Sequence, residues 1–272
     1  MAQRTTKIGP ESVAVVTGAA HGIGHALCAG LAQRGAAVAM LDIDRAALDV
    51  VDLPRSLALT CDVTRADSTH DAARYVEAQL GAPSLLICNA GISVTGPIER
   101  LSVQDIDAAL AVNFWGVVHS SQAFLPALRR TAHQRGHAAI AVVLSDFALI
   151  SLPTKAAYAA SKHAARAFTE ALAGEVADAN IAVSAIYPGA TATEIVRRGR
   201  ATDSRKQAAE AAFLRDGMAV EQVARRIIRA IERGDRRVLV GRDAHLFDLL
   251  SQLSPRAFNW MVRRFWRRVP FL

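Results

Sequence analysis

The sequence predicts an α/β fold in which a doubly wound parallel sheet of about seven strands carries helices on both faces. Short segments rich in Val, Ile and Leu alternate along the chain with alanine-rich segments of helical character. The 272 residues, 51% of them hydrophobic, suffice for one domain whose sheet is covered on both faces. The predicted strands are SVAVVTG, AVAML, SLALTCDV, SLLICNAG, AIAVVLS, IAVSAIYPG and RRVLVG.

A glycine-rich loop follows the first predicted strand and precedes an amphipathic helix. Gly18, Gly22 and Gly24 have the spacing G-x-x-x-G-x-G rather than the common G-x-G-x-x-G. Glycines at such a junction allow a tight turn, a close approach of the backbone to a pyrophosphate and close packing of helix on strand. The order of strand, loop and helix therefore predicts a Rossmann-like dinucleotide site, with the pyrophosphate at the helix N-terminus.

The second predicted strand ends at Asp42, which favours NAD over NADP. A carboxylate about twenty residues beyond the loop is expected to accept hydrogen bonds from the adenosine ribose hydroxyls. The same carboxylate would repel a 2′-phosphate. His21 in the loop and Arg45 just past Asp42 could supply positive charge, so NADP remains an alternative.

Polar side chains and small residues also follow the third and fourth predicted strands. The third strand ends at Asp62, and the fourth ends at Asn89, Ala90 and Gly91. Open α/β sheets bind ligands outside the carboxyl ends of their strands. These residues are therefore expected to line the cofactor.

A Ser, Tyr, Lys set predicts alcohol–carbonyl redox chemistry. Tyr158 follows Ser145 by thirteen residues, and Lys162 follows Tyr158 by four. Positions i and i+4 share a helix face, so the Lys162 ammonium can lie beside the Tyr158 phenol and lower its pKa. Ser145, from the end of the fifth strand, can orient the substrate oxygen. Tyr158 is the expected acid and base.

With these residues together, the chain resembles the classical short-chain dehydrogenase/reductase family over about residues 10–240. TGAAHGIG, from Thr17 to Gly24, resembles the family's cofactor loop, and CNAG, residues 88–91, its NNAG segment. The resemblance implies an NAD-dependent oxidoreductase that transfers hydride between a secondary alcohol or ketone and nicotinamide. The substrate is expected to be lipophilic. The cofactor-binding residues implied are Gly18, His21, Gly22, Ile23, Gly24, Asp42, Asp62, Val63, Asn89, Ala90, Gly91, Tyr158, Lys162, Pro188, Gly189 and Thr193.

The resemblance also assigns roles outside these motifs. Asn113 matches the family's helix asparagine, which holds a water linking Lys162 to solvent. Pro188 and Gly189 would shape the turn after the sixth strand, and Thr193 would contact the nicotinamide carboxamide or the nearby phosphate. Because family members are usually dimers or tetramers, the resemblance implies a homodimer or homotetramer.

The end of the chain is expected to differ from the rest. Residues 1–244 are predicted to form a single domain with a substrate lid at about residues 190–218, and residues 245–272 an amphipathic basic extension. From Pro255 onward there are five arginines and no acids. This segment could dock on its own fold or a sister subunit, or could contact an anionic membrane surface. Nucleic acid is not an expected partner, because the body of the chain is not markedly basic.

Composition narrows the remaining possibilities. The three cysteines are scattered, and the eight histidines lack ligand spacing, so neither a disulfide framework nor a metal site is expected. The first apolar run is too short to span a bilayer, which favours a cytoplasmic protein. Two other functions stay open: an NADP-dependent carbonyl reductase, and a non-catalytic cofactor-binding regulator or scaffold.

Overall fold

The structure, a computed structural model, describes residues 6–269 and 271–272. Its strands are β1 (Val13–Thr17), β2 (Ala37–Asp42), β3 (Ser56–Thr60), β4 (Leu85–Cys88), β5 (Val94–Thr95), β6 (Ala138–Val143), β7 (Ile181–Pro188), β8 (Arg200–Ala201) and β9 (Arg237–Val240). Seven of them form one parallel sheet in the order β3-β2-β1-β4-β6-β7-β9. The predicted doubly wound parallel sheet is confirmed.

The central strands are short apolar runs that the helices bury on both faces. Every residue of β1 and β6 is buried, as expected for parallel strands between two helical layers. Val15 of β1 pairs with Ala39 of β2 on one side and with Leu86 of β4 on the other. The strand order reverses at this point, which opens a crevice at the carboxyl ends of β1 and β4.

Helices cover both faces of the sheet. They are α1 (Gly22–Ala32), α2 (Arg45–Asp49), α3 (Ala66–Leu80), α4 (Val103–Leu110), α5 (Gly116–Arg135), α6 (Ala156–Glu175), α7 (Ser204–Arg215), α8 (Val220–Arg233), α9 (Arg242–Leu253) and α10 (Pro255–Phe265). On one face, α1 and α8 pack together against the sheet. On the other face, α3, α5 and α6 supply the apolar side chains that bury it.

A π-helical turn, Ala111–Trp115, joins α4 to α5. Such turns interrupt the regular helical hydrogen bonding and are frequent at functional sites. This turn carries Asn113, whose side chain is completely buried. The fold therefore brings a polar amide into the interior at the junction of α4 and α5.

The predicted lid, residues 190–218, is a folded segment tied to the body of the domain. Its β8 pairs with β5, and Thr191 forms a bridge with Met218 where the segment begins and ends. The Gln207 amide on α7 donates to the carbonyl oxygens of Val196 and Gly199. These contacts hold α7 against the rest of the segment, which is called the lid below.

The C-terminal residues pack partly on the domain. Phe258 of α10 is buried against the sheet face that α5 and α6 cover, whereas Trp260 is 64% exposed. The Lys206 ammonium on α7 donates to the carbonyl oxygen of Leu272, so the chain end touches the lid. In the described part of the chain, no helix combines the length and the apolar content needed to cross a bilayer.

Candidate active site

The glycine loop is shaped by close contacts at the ends of β1 and β4. Gly18 and Gly22 have φ angles of +64° and +53°, a region that favours glycine. A Cβ on Gly24 would collide with the carbonyl oxygen of Gly18. The Asn89 side-chain amide donates to the carbonyl oxygens of Thr17 and Gly18, each at 3.0 Å. The loop is thus drawn tightly onto the sheet, as a backbone that approaches a phosphate requires.

The start of α1 can hold an anion. No described side chain caps this helix end, so its first amides remain available to a ligand. Ile23 packs against the α1 and α8 side of the core and anchors this first turn. A Cβ placed on Gly22 would lie 3.4 Å from the Thr193 methyl group of the lid. The predicted cofactor residues of the loop and of the lid are therefore close together.

Two backbone amides hold the Asp42 carboxylate at the end of β2. It accepts hydrogen bonds from the amides of Ala20 at 2.9 Å and Asp44 at 3.0 Å. Asp44 itself accepts from His21 Nε2 and from Arg198 Nη2 of the lid, each at 2.9 Å. These hydrogen bonds, with that from His21 the largest cause, lower the pKa of Asp44 to about 2.

Arg45, the other cation considered for a 2′-phosphate, is also engaged. Its guanidinium pairs with Asp49 at 2.7 Å and donates to the carbonyl oxygen of Ala58 at 3.2 Å. His21 and Arg45, the two side chains that could compensate the charge of Asp42, are therefore both paired with neighbouring carboxylates.

Asp62 and Val63 lie at the end of β3, on the same edge of the sheet. The Asp62 carboxylate accepts from the Thr64 amide at 2.9 Å and from the Thr64 hydroxyl at 2.7 Å. The carbonyl oxygen of Val63 lies 3.0 Å from Nδ1 of His119 on α5. These contacts fix the segment, while the predicted role of both residues toward the cofactor stays a prediction.

The structure brings Ser145, Tyr158 and Lys162 together. Ser145 follows β6 and begins a 3₁₀ turn, Asp146–Ala148, while Tyr158 and Lys162 lie on α6. The Tyr158 ring packs edge-on against Phe147, with centroids 5.8 Å apart. The Lys162 ammonium lies 5.9 Å from the Tyr158 ring centroid and donates to the carbonyl oxygen of Val143 at 3.0 Å. All three predicted side chains are buried.

The pKa of Tyr158 differs from the expectation. Burial raises it above the ordinary value, and the hydrogen bond with Ser145 acts in the opposite direction. Burial also lowers the pKa of Lys162 to about 8. The expected lowering of the Tyr158 pKa is therefore wrong for this structure, because desolvation of the phenolate dominates.

Asn113 lies beside this group, on the far side of Gly91. Its side chain exchanges hydrogen bonds with both backbone groups of Ile92, at 2.9 and 3.0 Å, and donates to the Ser161 hydroxyl at 2.9 Å. A Cβ on Gly91 would lie 3.1 Å from Asn113 Oδ1 and 3.4 Å from Lys162 Nζ. Glycine at position 91 keeps this space open, and the water relay through Asn113 stays a prediction.

A comparison with known families accounts for this arrangement. The model of the short chain dehydrogenase family matches residues 12–204, more than half of the chain. The chain belongs to the short-chain dehydrogenase family.

Named relatives and solved structures cover nearly the whole chain. A candidate oxidoreductase of Mycobacterium tuberculosis, SadH, is 34% identical over 261 residues, which are 92% of this chain and 93% of that protein. A short-chain dehydrogenase/reductase of Burkholderia phymatum, solved in complex with NAD, is 25% identical with a TM-score of 0.81, covering 94% of this chain and 97% of its own. A short chain dehydrogenase of Burkholderia cenocepacia, solved with NADP, is 28% identical with a TM-score of 0.78, covering 93% and 98%.

One residue of this short-chain dehydrogenase departs from the family pattern inside the sheet. Cys88 stands where the pattern has the first Asn of its NNAG segment. The thiol is buried, and burial raises its pKa to about 12. Cys88 therefore remains a protonated, unreactive packing residue.

Sequence analysis missed two carboxyl groups beside the predicted site. Asp146 is 6% exposed and accepts a 2.8 Å hydrogen bond from the Ser145 hydroxyl. Asp243, in the first turn of α9, accepts from the Ala190 amide and packs against Gly189, where a Cβ would collide with its carboxylate. The sequence offered one signal for Asp146, because it is the only charged residue in the segment AAIAVVLSDFALISLP.

A buried ion pair fastens the lid next to Tyr158 and was also missed. The Lys155 ammonium pairs with the Glu210 carboxylate of α7, and the two side chains are 1% and 8% exposed. The Thr95 hydroxyl accepts from Lys155 at 2.7 Å and donates to Glu210 at 3.3 Å. Because Lys155 precedes α6 directly, the pair joins the lid to the helix that carries Tyr158 and Lys162.

Proposed function

We propose that this short-chain dehydrogenase is an NAD-dependent oxidoreductase that transfers hydride between a secondary alcohol or ketone and nicotinamide. The observation that carries the proposal is the buried group of Ser145, Tyr158 and Lys162 beside the glycine loop. A buried proton donor and acceptor next to a dinucleotide site suits an enzyme that moves a proton and a hydride between an alcohol and a nicotinamide. The relative named D-threitol dehydrogenase, from Mycolicibacterium smegmatis, is 33% identical over 67% of this chain.

The described residues fit a dinucleotide. The cofactor would lie along the carboxyl ends of β1, β2 and β4, with its pyrophosphate at the start of α1 and its adenosine ribose at Asp42. Asn89, Ala90 and Gly91 would line it, and Pro188, Gly189 and Thr193 would meet its nicotinamide end. Bound NAD supplies a ring that accepts or returns hydride. The engagement of His21 and Arg45 by carboxylates supports NAD rather than NADP.

The side chains of this chain would handle the proton. In oxidation, Tyr158 takes the hydroxyl proton of the alcohol at its phenolic oxygen, and in reduction it returns the proton to the carbonyl oxygen. Ser145 holds the substrate oxygen against Tyr158. Lys162 would bind the cofactor ribose, and Asn113 would maintain the path to solvent beside Gly91. The raised pKa of Tyr158 means that its neutral form, the proton donor, predominates in the structure described.

The test of this proposal is the variant Tyr158→Phe, assayed with NAD⁺ and a panel of lipophilic secondary alcohols. Loss of the phenolic oxygen removes the proton acceptor, so kcat should fall at least about a hundredfold while NADH binding persists. Near wild-type turnover would overturn the assignment. Before this assay, fluorescence titration with NADH and NADPH measures which cofactor the protein prefers. If the protein binds neither cofactor, the non-catalytic scaffold is favoured.

We also propose where the protein acts. A cytoplasmic homodimer or homotetramer could meet a membrane surface through residues 255–272. Arg263, Arg264, Arg267 and Arg268 are exposed there, beside the exposed rings of Trp260 and Phe265. Cations next to exposed aromatic side chains suit an anionic lipid surface.

A further inference from the structure

Asp146 is a buried acid directly beside Ser145, and the proposed mechanism uses none of its atoms. The Ser145 hydroxyl donates to Asp146 Oδ1 at 2.8 Å, and Ser145 Oγ accepts from the Phe147 amide at 3.2 Å. Asp146 is in the 3₁₀ turn that follows β6, and no residue lies between it and Ser145. The protonation state of Asp146 therefore directly determines which hydrogen bonds Ser145 can make.

A serine hydroxyl carries one proton, and Asp146 decides where that proton goes. When Asp146 is ionised, it accepts the proton of Ser145, and Ser145 has no proton left to donate to a substrate oxygen. The single hydroxyl proton of an alcohol goes to Tyr158, so neither an alcohol nor a ketone gains a hydrogen bond with Ser145 in this state. When Asp146 is protonated, its own O–H donates to Ser145 Oγ, and the Ser145 O–H becomes free to donate to a carbonyl oxygen.

We propose that Asp146 is a positioning residue whose protonation frees the Ser145 hydroxyl to donate to the substrate oxygen. This inference rests on the proposed alcohol–ketone function. The switch moves one proton between solvent and the Asp146 carboxyl, and no other covalent bond forms or breaks. Ser145 would then donate to the substrate oxygen only while Asp146 is protonated.

The surroundings of Asp146 raise its pKa to near neutral pH. Burial, followed at some distance by the negative charge of Asp243 on α9, raises the pKa of Asp146 to about 7, while the hydrogen bond from Ser145 opposes the rise. From α6, Tyr158 and Arg166 face this turn, and Arg166 donates to the carbonyl oxygen of Ala148 at 3.2 Å. From β7, Tyr187 shares the apolar cluster of Ala148. Asp243 is the negative group among these neighbours.

Infrared titration of the substrate-free chain from pH 5 to 9 tests the link between the two side chains. The carbonyl stretch of a protonated, buried carboxyl should titrate near pH 7 in the wild type and be absent from Asp146→Asn. Ser145→Ala should raise the midpoint by about one pH unit, because the carboxylate loses a donor. Asp248→Asn is the matched control. Asp248 is a buried carboxylate on α9 bonded to Arg237, and its loss should leave the midpoint unchanged.

An unchanged midpoint in Ser145→Ala would overturn the proposal, because Ser145 would then not donate to the carboxylate. If Asp146→Asn does not fold, Asp146→Ser supplies the same loss of the titrating band. A titration that survives the removal of Asp146 would also overturn the proposal, since the band would belong to another acid.

Steady-state kinetics with 2-octanone and 2-octanol test the substrate side of the switch. The KM of the wild type for the ketone should rise about tenfold between pH 6 and pH 8.5, and this rise should vanish in Asp146→Asn. Lys162, whose pKa burial lowers to about 8, titrates in the same range, so the difference between the two proteins isolates Asp146. An equal rise in both proteins would overturn the switch. If neither the wild type nor the variant turns over 2-octanone or 2-octanol, the proposed alcohol–ketone function is refuted for these substrates. The infrared titration still decides whether Ser145 donates to the Asp146 carboxylate.

Discussion

The Asp42 carboxylate is fixed by the Ala20 and Asp44 amides, so its replacement should change cofactor choice without moving the loop. In Asp42→Ala, the ribose loses an acceptor and a 2′-phosphate loses a repulsive charge. We expect NADH affinity to fall about tenfold and NADPH affinity to rise, as measured by fluorescence titration. Asp52→Ala, at an exposed position, is the control. Unchanged preference in Asp42→Ala would contradict this role.

Asp146 should also give the fold a pH dependence. Because burial raises its pKa to about 7, the folded chain binds this proton more tightly than the unfolded chain. The resulting stability is complete below about pH 4 and is lost as pH rises through about 7. Between pH 4.5 and 8, the wild type should lose about 3 kcal/mol of unfolding free energy relative to Asp146→Asn. Urea unfolding of both proteins at both pH values measures this difference. The same pH dependence of the unfolding free energy in the wild type and in Asp146→Asn would contradict the prediction.

The sequence predicts residues whose roles follow from spacing and misses those whose roles follow from burial. Tyr158 and Lys162 could be paired because i and i+4 share a helix face. The direction of the Tyr158 pKa could not, since it depends on desolvation that only the packed fold shows. The bond between Asp44 and Arg198 joins residues 154 positions apart, a distance over which local pattern carries no information.

The lid is attached by a buried ion pair, so removing one partner should loosen the whole segment. In Glu210→Gln, the Lys155 charge would stay buried without its carboxylate, which typically costs about 3 kcal/mol. We expect lower unfolding free energy and faster hydrogen exchange of the lid amides. Glu194→Gln is the matched control within the lid, because the pair of Glu194 with Arg197 is exposed. Equal effects of the two variants would show that the buried pair does not fasten the lid.

Long regular elements were predictable and short irregular ones were not. The strands of the sheet appear in the sequence as apolar runs because both of their faces are buried. The two-residue strands β5 and β8 are too short to show any period, and they depend on pairing between distant segments. The π-helical turn at Asn113 likewise has no pattern of its own, because its sequence, AVNFW, continues the apolar character of its neighbours.

On the scale of the molecule, the exposed arginines of the C-terminal segment should govern its affinity for anionic lipid. Each arginine near such a surface contributes about 1 kcal/mol, so removing four should abolish flotation with phosphatidylserine vesicles. The test variant replaces Arg263, Arg264, Arg267 and Arg268 with Gln. The control, which removes the same charge elsewhere on the exposed surface, replaces Arg225, Arg226, Arg229 and Arg236 with Gln. Equal loss of flotation in both variants, or no flotation of the wild type, would refute a specific lipid-binding surface in the C-terminal segment.

The packing of the chain end could be predicted only in part. The basic, amphipathic character of the last residues is plain in the sequence, and Phe258 is one of their apolar residues that the structure buries. That the final residues would touch the lid could not be inferred. The rings of Phe213 and Phe271, 5.0 Å apart, meet across more than fifty positions of sequence.

The lid reaches the nucleotide side of the site at two points, through Thr193 beside Gly22 in the glycine loop and through Arg198 on Asp44, which follows β2. A dinucleotide bound along that loop would lie beneath these contacts, whereas a substrate would approach over Tyr158 from the other end of the lid. If the proposed function holds, we expect such a roof to impose a compulsory order on the reaction, in which the dinucleotide arrives first and departs last. We therefore expect NADH to inhibit competitively against NAD⁺ and noncompetitively against the alcohol.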